Sequence, residues 1–313
     1  MKNRKNGNLF VVFWMFLLSI GGISQTNTVP ISTADTKDLI RLNLTILDKD
    51  NNMARGITKD DLIVNLDGKE QSIESIEEHK INPISILAID NSGSMRMLLP
   101  EVTKAAKTII AENNDTDLVA LMRFVGRDKI QASEKFTNDL KYLNALLDAF
   151  YVEGGQTALI DAMYKGTGLL RAQTMTSDTM RRTLIVVSDG EDRDSQYEES
   201  QLIALLKEAN VRVCFLGLMF DLGTEGGFVG KSPRQKAKEF IEKVAKETGG
   251  FAVIPKKPDQ LVNAAKQISA NIHSEFVVTF RPNVTSTTSR KLQIKIAKGS
   301  KMKDLQFFVP SQY

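Results

Sequence analysis

The chain has 313 residues, of which 42% are hydrophobic and 25% are charged. These proportions are typical of a folded globular protein and exclude an intrinsically disordered chain. The length allows two domains, since one domain usually has about 100–200 residues.

The chain begins with the pattern of a secretory signal. The basic segment MKNRKNGN precedes the apolar run LFVVFWMFLLSIGGIS, and the polar QTNTVP follows it. We expect residues 1–24 to be a signal peptide that is cut before Gln25. The apolar run is shorter than the ~20 residues of a spanning helix, so we expect no transmembrane span in the mature chain. The expected location is the periplasm or the extracellular space, and an uncleaved N-terminal anchor is the alternative.

Removal of this segment leaves the chain neutral. The full sequence has 41 Lys and Arg against 38 Asp and Glu, and three of the basic residues lie in the first 24 positions. Because no net or clustered positive charge is evident, nucleic acid is not an expected partner. The single cysteine, Cys214, excludes an intramolecular disulfide. Its apolar surroundings, VRVCFLGLM, indicate a buried strand residue.

Both ends of the mature chain have strand patterns. In residues 25–80, IRLNLTILD alternates apolar and polar residues, and Asp67-Gly68 lies between two strand-like runs, which predicts a hairpin. Residues 274–313 contain SEFVVTF, KLQIKIAK and LQFFVP. Neither segment has enough strands for a core of its own. Together they predict one small β-sandwich-like domain.

The middle segment, residues 81–273, alternates short apolar runs with amphipathic helical stretches. The runs are ISILAI, LVALMRFV, TLIVVSD, VRVCFLGLM and FAVI, which suit strands that are covered on both faces. This alternation predicts an α/β domain with a doubly wound, mostly parallel sheet. Ligands of such sheets bind beyond the carboxyl ends of the strands, at the topological switch point.

Oxygen-bearing side chains follow the predicted strands at that edge of the sheet. Asp90, Ser92 and Ser94 follow ISILAI, Asp189 follows TLIVVS, and Thr157 precedes a predicted helix. Hard oxygen donors without His or Cys suit Mg²⁺, with Mn²⁺ or Ca²⁺ as alternatives, and disfavour Zn²⁺ and copper. If the carboxylates act through water, the bound ion keeps much of its charge and attracts a further carboxylate.

The motifs DNSGS, GGQT and SDGED together resemble the metal-ion-dependent adhesion site of von Willebrand factor type A domains, whose first motif is Asp-x-Ser-x-Ser. The flanks ARGITKDDLIVNLDGKEQSI and EFVVTFRP resemble those of a secreted bacterial subgroup. The resemblance implies a Rossmann-like fold and a binding or adhesion module that is not an enzyme. It implies that Ser92, Ser94 and, in at least one state, Thr157 bind the ion directly, while Asp90 and Asp189 hold coordinated water. The partner would be a protein that supplies an Asp or Glu carboxylate.

Simpler interpretations of the same residues stay open. Ser92, Ser94 and Thr157 are residue types that are favoured where helices begin. The acidic residues at 191, 192 and 194 could hold a second cation or could be solvated loop charges.

Two other functions compete with a binding module. A Mg²⁺-dependent phosphohydrolase-like enzyme, similar to the haloacid dehalogenases, also has an Asp at the end of its first buried strand. Such an enzyme normally has a second Asp two residues later for proton transfer, and this chain has Ser92 there. Serine hydrolysis lacks a base, because His79 and His273 lie at the borders of the middle segment. The remaining alternative is a metal-free structural scaffold.

Overall fold

The structure is a computed structural model that describes residues 25–29, 39–223, 230–282 and 290–309. The predicted signal peptide, residues 1–24, lies outside these ranges. Over the described ranges, the helices are all too short or too polar to cross a membrane.

The strands in chain order are β1 (Gln25–Val29), β2 (Ile40–Leu47), β3 (Leu62–Leu66), β4 (Lys69–Gln71), β5 (Ile73–Lys80), β6 (Asn82–Asp90), β7 (Leu118–Phe124), β8 (Ile130–Ala132), β9 (Met180–Ser188), β10 (Val211–Gly217), β11 (Phe251–Val253), β12 (Ser274–Phe280), β13 (Arg290–Ile296) and β14 (Gln306–Phe308). The α-helices are α1 (Leu99–Ala111), α2 (Leu140–Asp148), α3 (Leu159–Arg171), α4 (Glu199–Glu208), α5 (Pro233–Glu247) and α6 (Leu261–Ile272).

The central sheet has the strand order β11-β10-β9-β6-β7-β8, and every neighbouring pair is parallel except β7 with β8. The inner strand β6 is mostly apolar, and Ile86, Leu87 and Ala88 are fully buried because helices cover both faces of the sheet. Helices α1, α2 and α6 pack on one face, and α3, α4 and α5 pack on the other. The predicted doubly wound, mostly parallel α/β architecture is therefore confirmed.

Helix α5 begins and ends where its local chemistry predicts. In α5, the Ser232 side chain accepts a hydrogen bond from Gln235 N at 3.2 Å, and Pro233 occupies the first turn. Gly249 follows the helix with φ +72°, a conformation that favours glycine and ends the helical ladder. One apolar stripe on each helix faces the sheet. In α1 this stripe consists of Val102, Ala105, Ala106, Ile109 and Ile110.

The edge strand β8 was not expected from the sequence. Its three residues are too few to show a periodic pattern. It forms because a tight turn, in which Lys129 N donates to Gly126 O at 2.9 Å, reverses the chain after β7.

The chain ends form two further antiparallel sheets, with the orders β1-β13-β3-β4 and β14-β2-β12-β5. Leu42 and Val278 of one sheet share a buried apolar cluster with Val64 and Ile294 of the other. The predicted hairpin joins β3 and β4, and both of its turn residues have positive φ, 54° at Asp67 and 79° at Gly68.

The chain enters and leaves the middle segment at neighbouring positions. Strands β5 and β12 pair with Lys80 opposite Ser274, so the connections to β6 and from α6 lie side by side. The division of the chain after residue 24 into residues 25–80, 81–273 and 274–313 stays a prediction.

Candidate metal centre

The switch point of the central sheet lies at the carboxyl end of β6. The chain passes from β6 to β7 on one side and later returns as β9 on the other. The register pairs Ile89 with Val187, which sets Asp90 beside Ser188. Asp90 and Asp189 therefore lie at the ends of adjacent parallel strands, where ligands of doubly wound sheets bind.

The first motif forms a compact hydroxyl and carboxylate cluster. Asp90 is buried, with 1% of its surface exposed, and its Oδ1 accepts a hydrogen bond from Ser92 N at 2.9 Å. The hydroxyls of Ser92 and Ser94 lie 3.1 Å apart. Ser92 precedes a short 3-10 turn, but its side chain makes no capping hydrogen bond, and α1 begins only at Leu99. Neither serine caps α1, and Ser92 occupies the N-cap position of the 3-10 turn without a side-chain capping hydrogen bond.

Asp189 joins this cluster from the loop after β9. Glu191 N donates a hydrogen bond to Asp189 Oδ1 at 3.0 Å, and the Ser94 hydroxyl lies close enough to this carboxylate to oppose the rise of its pKa. The structure thus brings together four of the five predicted residues: Asp90, Ser92, Ser94 and Asp189.

Thr157 is buried, and its contacts to the cluster are indirect. Its carbonyl oxygen accepts hydrogen bonds from Arg193 N at 2.8 Å and Asp194 N at 3.0 Å, which fastens the loop after Asp189 to it. Among the hydrogen bonds of the described residues, none joins the Thr157 hydroxyl to the other four side chains. Thr157 is not the N-cap of α3, because Ala158 occupies that position.

The two buried carboxylates are electrostatically unfavourable in the absence of a cation. Burial, followed by the negative charge of Asp189, raises the pKa of Asp90 to about 6, although hydrogen bonds from Ser92 and Ser188 oppose the rise. Burial likewise raises the pKa of Asp189, and the hydrogen bond from Glu191 N opposes that rise. Because like charges in a dry site disfavour the ionised form of each carboxyl, a cation held near both would reduce the burial cost and the repulsion.

The donor set fits a hard divalent cation. Across the part of the chain that the structure describes, no three His, Cys, Asp or Glu side chains converge to hold a metal ion. A cation at the switch point would therefore need hydroxyl oxygens beside the two carboxylates, and Ser92 and Ser94 supply them. Oxygen ligands with few formal charges suit Mg²⁺, which keeps several coordinated waters. The residues that are present fit this ion.

Ser188 is a site residue that sequence reasoning missed. Its hydroxyl is fully buried, donates to Asp90 Oδ2 at 2.9 Å and accepts from Gly190 N at 3.2 Å. Ser188 therefore orients the Asp90 carboxylate and stabilises the turn that contains Asp189. Its position directly before Asp189, at the end of a buried strand, was the only sign of this role.

Asn91 also has a positioning role that the motif did not indicate. Its Nδ2 donates to Tyr151 O at 3.2 Å, and its carbonyl accepts from Glu153 N at 3.0 Å. These bonds hold the segment before Gly154 against the first motif.

The acidic residues after Asp189 support the protein's own structure. Asp192 Oδ1 accepts from Ile160 N at 3.1 Å and from the Ser195 hydroxyl at 2.5 Å. Asp194 pairs with Arg127 at 3.0 Å, and Glu191 pairs with Arg193. These three carboxylates are therefore loop charges with partners inside the protein, and they are not grouped around a second cation.

Both histidines of the chain lie where the parallel strands begin, away from the cluster. His79 Nε2 lies 3.2 Å from Glu77 Oε2 on β5, and His273 Nε2 lies 2.7 Å from Asp117 Oδ2 just before β7. Ser92 and Ser94 therefore have no imidazole beside them to act as a base.

Several solved structures resemble the protein in fold. An aerotolerance-related membrane protein from Bacteroides fragilis is 19% identical, with 61% of this chain and 98% of that chain covered and a TM-score of 0.46. A von Willebrand factor type A protein from Catenulispora acidiphila is 12% identical over 91% of this chain and 74% of that chain, with a TM-score of 0.48. The pilus adhesin SpaC from Lactobacillus rhamnosus GG is 12% identical, with 80% of this chain and 44% of that chain covered and a TM-score of 0.47.

Sequence comparison gives a more direct result. Among curated proteins, none is similar enough to count as a match. The sequence model of the von Willebrand factor type A domain, however, matches residues 86–268, which include all three site motifs. Because this match extends over more than half of the chain, the protein belongs to the von Willebrand factor type A domain family.

Proposed function

We propose that the protein is an exported binding module that captures an acidic side chain of a partner protein through a divalent cation at the switch point. Domains of the von Willebrand factor type A family are generally protein-interaction modules. The finer proposal rests on one observation, which is that the side chains of Asp90, Ser92, Ser94 and Asp189 meet at the carboxyl edge of the sheet.

Each residue of this set has a defined task in the proposal. Ser92, Ser94 and, in at least one state, Thr157 would hold the cation through their hydroxyl oxygens. Asp90 and Asp189 would orient water molecules on it, and Ser188 would keep the Asp90 carboxylate in place. When bound, the cation supplies positive charge that attracts a carboxylate from another molecule. Mg²⁺ is the proposed ion, with Mn²⁺ and Ca²⁺ as alternatives.

Exposure supports a ligand that approaches from solvent. Asp90 and Ser92 are buried below the surface, whereas Ser94 is exposed at the rim of the cluster. A partner carboxylate could thus reach the ion without opening the core. Export rests on the pattern of residues 1–24 in the sequence.

The proposal predicts that cation binding depends on this set of residues. We expect the full chain to bind Mn²⁺ or Mg²⁺ in isothermal titration calorimetry, and Ser94→Ala and Asp189→Ala each to weaken binding at least tenfold, because each removes an oxygen from the cluster. Ser200→Ala, an exposed serine on α4, is the matched control and should bind as the wild type does.

Partner capture is tested separately from cation binding. Wild-type protein should retain an envelope protein in a pull-down, and both EDTA and Ser94→Ala should abolish that retention. Absence of heat with Mg²⁺, Mn²⁺ and Ca²⁺ would favour the metal-free scaffold. Hydrolysis of a generic phosphoester that is lost in Asp90→Asn would favour the enzyme alternative.

A further inference from the structure

A second polar site lies at the opposite end of the central sheet. A cavity of about 520 Å³ separates the first residues of β9 and β10 from the sheet that contains β2, β5 and β12. We call it the basal cavity. Its basic lining residues are Arg41, Lys80, Arg181, Arg182 and Arg212. The chain is nearly neutral as a whole, so this concentration of positive charge arises only from folding.

The acidic residues of the basal cavity do not balance this charge. Glu275 is buried and takes a two-point ion pair from Arg181, whose Nε lies 3.1 Å from Glu275 Oε2. The charges of Glu275 and Arg181 therefore neutralise each other. The other acidic lining residue, Asp178, is exposed and faces four remaining basic residues. An excess of positive charge therefore remains in a recessed space.

Arg182 adds to the excess because its partners are neutral. Its guanidinium donates to Leu170 O at 2.9 Å and to Gln173 O at 2.8 Å, near the end of α3. Carbonyl oxygens satisfy its N–H groups and leave its charge uncompensated.

Arg212 is the residue that points to a ligand. Only 8% of its surface is exposed, and its Nη2 donates to Ile272 O at 2.9 Å. Its Nε is buried and has no hydrogen-bond partner among the described residues. A buried guanidinium that has neither a carboxylate partner nor a full set of acceptors is unfavourable, since both its charge and its N–H group are desolvated. A multivalent anion in the basal cavity would compensate the unpaired charge of this guanidinium.

We propose that the basal cavity binds a small multivalent oxyanion of the phosphate type, with Arg212 as its principal residue. Guanidinium groups match phosphate oxygens in geometry and remain charged at all physiological pH values. Arg41 and Lys80 are exposed on the cavity lining and attract the anion from solvent. The volume is in the range of small-molecule sites and exceeds the needs of a single inorganic phosphate. This site is independent of the cation site at the other end of the strands.

Pyrophosphate is the probe for this proposal. The full chain is titrated by isothermal titration calorimetry at constant ionic strength in EDTA, which removes any contribution from divalent cations. We expect saturable binding of one pyrophosphate per chain. Arg212→Gln should weaken it at least tenfold, and the double variant Arg41→Gln/Lys80→Gln should weaken it severalfold. Because Arg41 and Lys80 are exposed, the double variant keeps the test valid if Arg212→Gln fails to fold.

Lys104→Gln is the matched control, because it removes the same charge from an exposed position on α1 outside the basal cavity. It should bind pyrophosphate as the wild type does. Absence of saturable binding to the wild type would overturn the proposal, as would equal weakening by Lys104→Gln. Co-sedimentation with phosphatidate vesicles without binding of soluble pyrophosphate would replace the small ligand with a lipid headgroup.

Discussion

At the scale of single residues, Asp90 links the stability of the protein to the proposed function. Burial and the charge of Asp189 raise its pKa to about 6, above the ordinary value of 3.8 for an aspartate. Because the folded state binds this proton more tightly than the unfolded chain, the associated stability is fully present below pH 3.8 and is lost as the pH rises through 6. At neutral pH the metal-free protein therefore contains an unfavourable buried charge, which a bound cation would compensate.

The variant Asp90→Asn should separate the effect of this residue on stability from its proposed role in cation binding. We expect the free energy of unfolding at pH 7.5 in EDTA to rise by about 1–3 kcal/mol, because the pKa shift is roughly two units and each unit is worth about 1.4 kcal/mol. Binding of Mg²⁺ should be lost. Urea denaturation at pH 7.5 and at pH 4 measures the free energy of unfolding. The increase caused by Asp90→Asn should nearly vanish at pH 4. A variant less stable than the wild type at pH 7.5 would contradict this account.

At the scale of elements, the loop after β9 and the start of α3 form one hydrogen-bonded unit. Asp192 accepts from Ile160 N, and Asp161 in the first turn of α3 accepts from Gln196 N at 2.9 Å. The amide groups at the start of a helix need such acceptors, since they have no partner within the helix. The same loop carries Asp189, so helix capping and site geometry depend on each other.

Loss of the Asp192 side chain should destabilise this unit. We expect Asp192→Ala to lower the free energy of unfolding by about 1 kcal/mol, the usual effect of removing a helix cap. Asp192→Asn keeps an acceptor oxygen and should retain most of that stability. Urea denaturation measures both, with Asp115→Ala, an exposed aspartate outside this loop, as the reference. Equal effects of Asp192→Ala and Asp115→Ala would show that the cap contributes nothing.

At the scale of the whole molecule, a few buried polar contacts join the middle segment to the chain ends. Glu275 at the start of β12 pairs with Arg181 of β9, and Asn271 Oδ1 accepts from Met53 N at 3.0 Å. The Glu275 carboxylate is 7% exposed in this pair and the Arg181 side chain 26% exposed. Such a pair is strongly destabilising to break, because one buried charge loses its partner.

The variant Glu275→Gln should therefore weaken the contact between the middle segment and the chain ends. We expect the free energy of unfolding to fall by about 1–3 kcal/mol, less than for a fully buried pair because Arg181 is partly solvated. Glu208→Gln breaks the exposed pair with Arg171 and should change stability by less than about 0.5 kcal/mol. Urea denaturation compares the two variants. Equal losses would mean that the Glu275 pair has no special role.

The sequence alone was sufficient to predict most of the helices and strands and most of the residues of the cluster. Buried strands such as β6 and amphipathic helices such as α1 follow from periodicities that a short segment contains by itself. Asp67-Gly68 likewise specifies its hairpin locally. Polar residues directly after apolar runs indicated Asp90, Ser92, Ser94 and Asp189, because parallel strands end at one edge of the sheet.

Only the tertiary structure decided which side chains support that cluster and where charge accumulates. Ser188 meets Asp90 across 98 positions of sequence, through the register of two strands. Asp192 caps a helix from another loop, and Arg212 lies in a cavity whose walls come from distant segments. Hydrogen bonds and charge interactions depend on distances of a few ångströms in space, whereas periodicity specifies only which face of an element is buried.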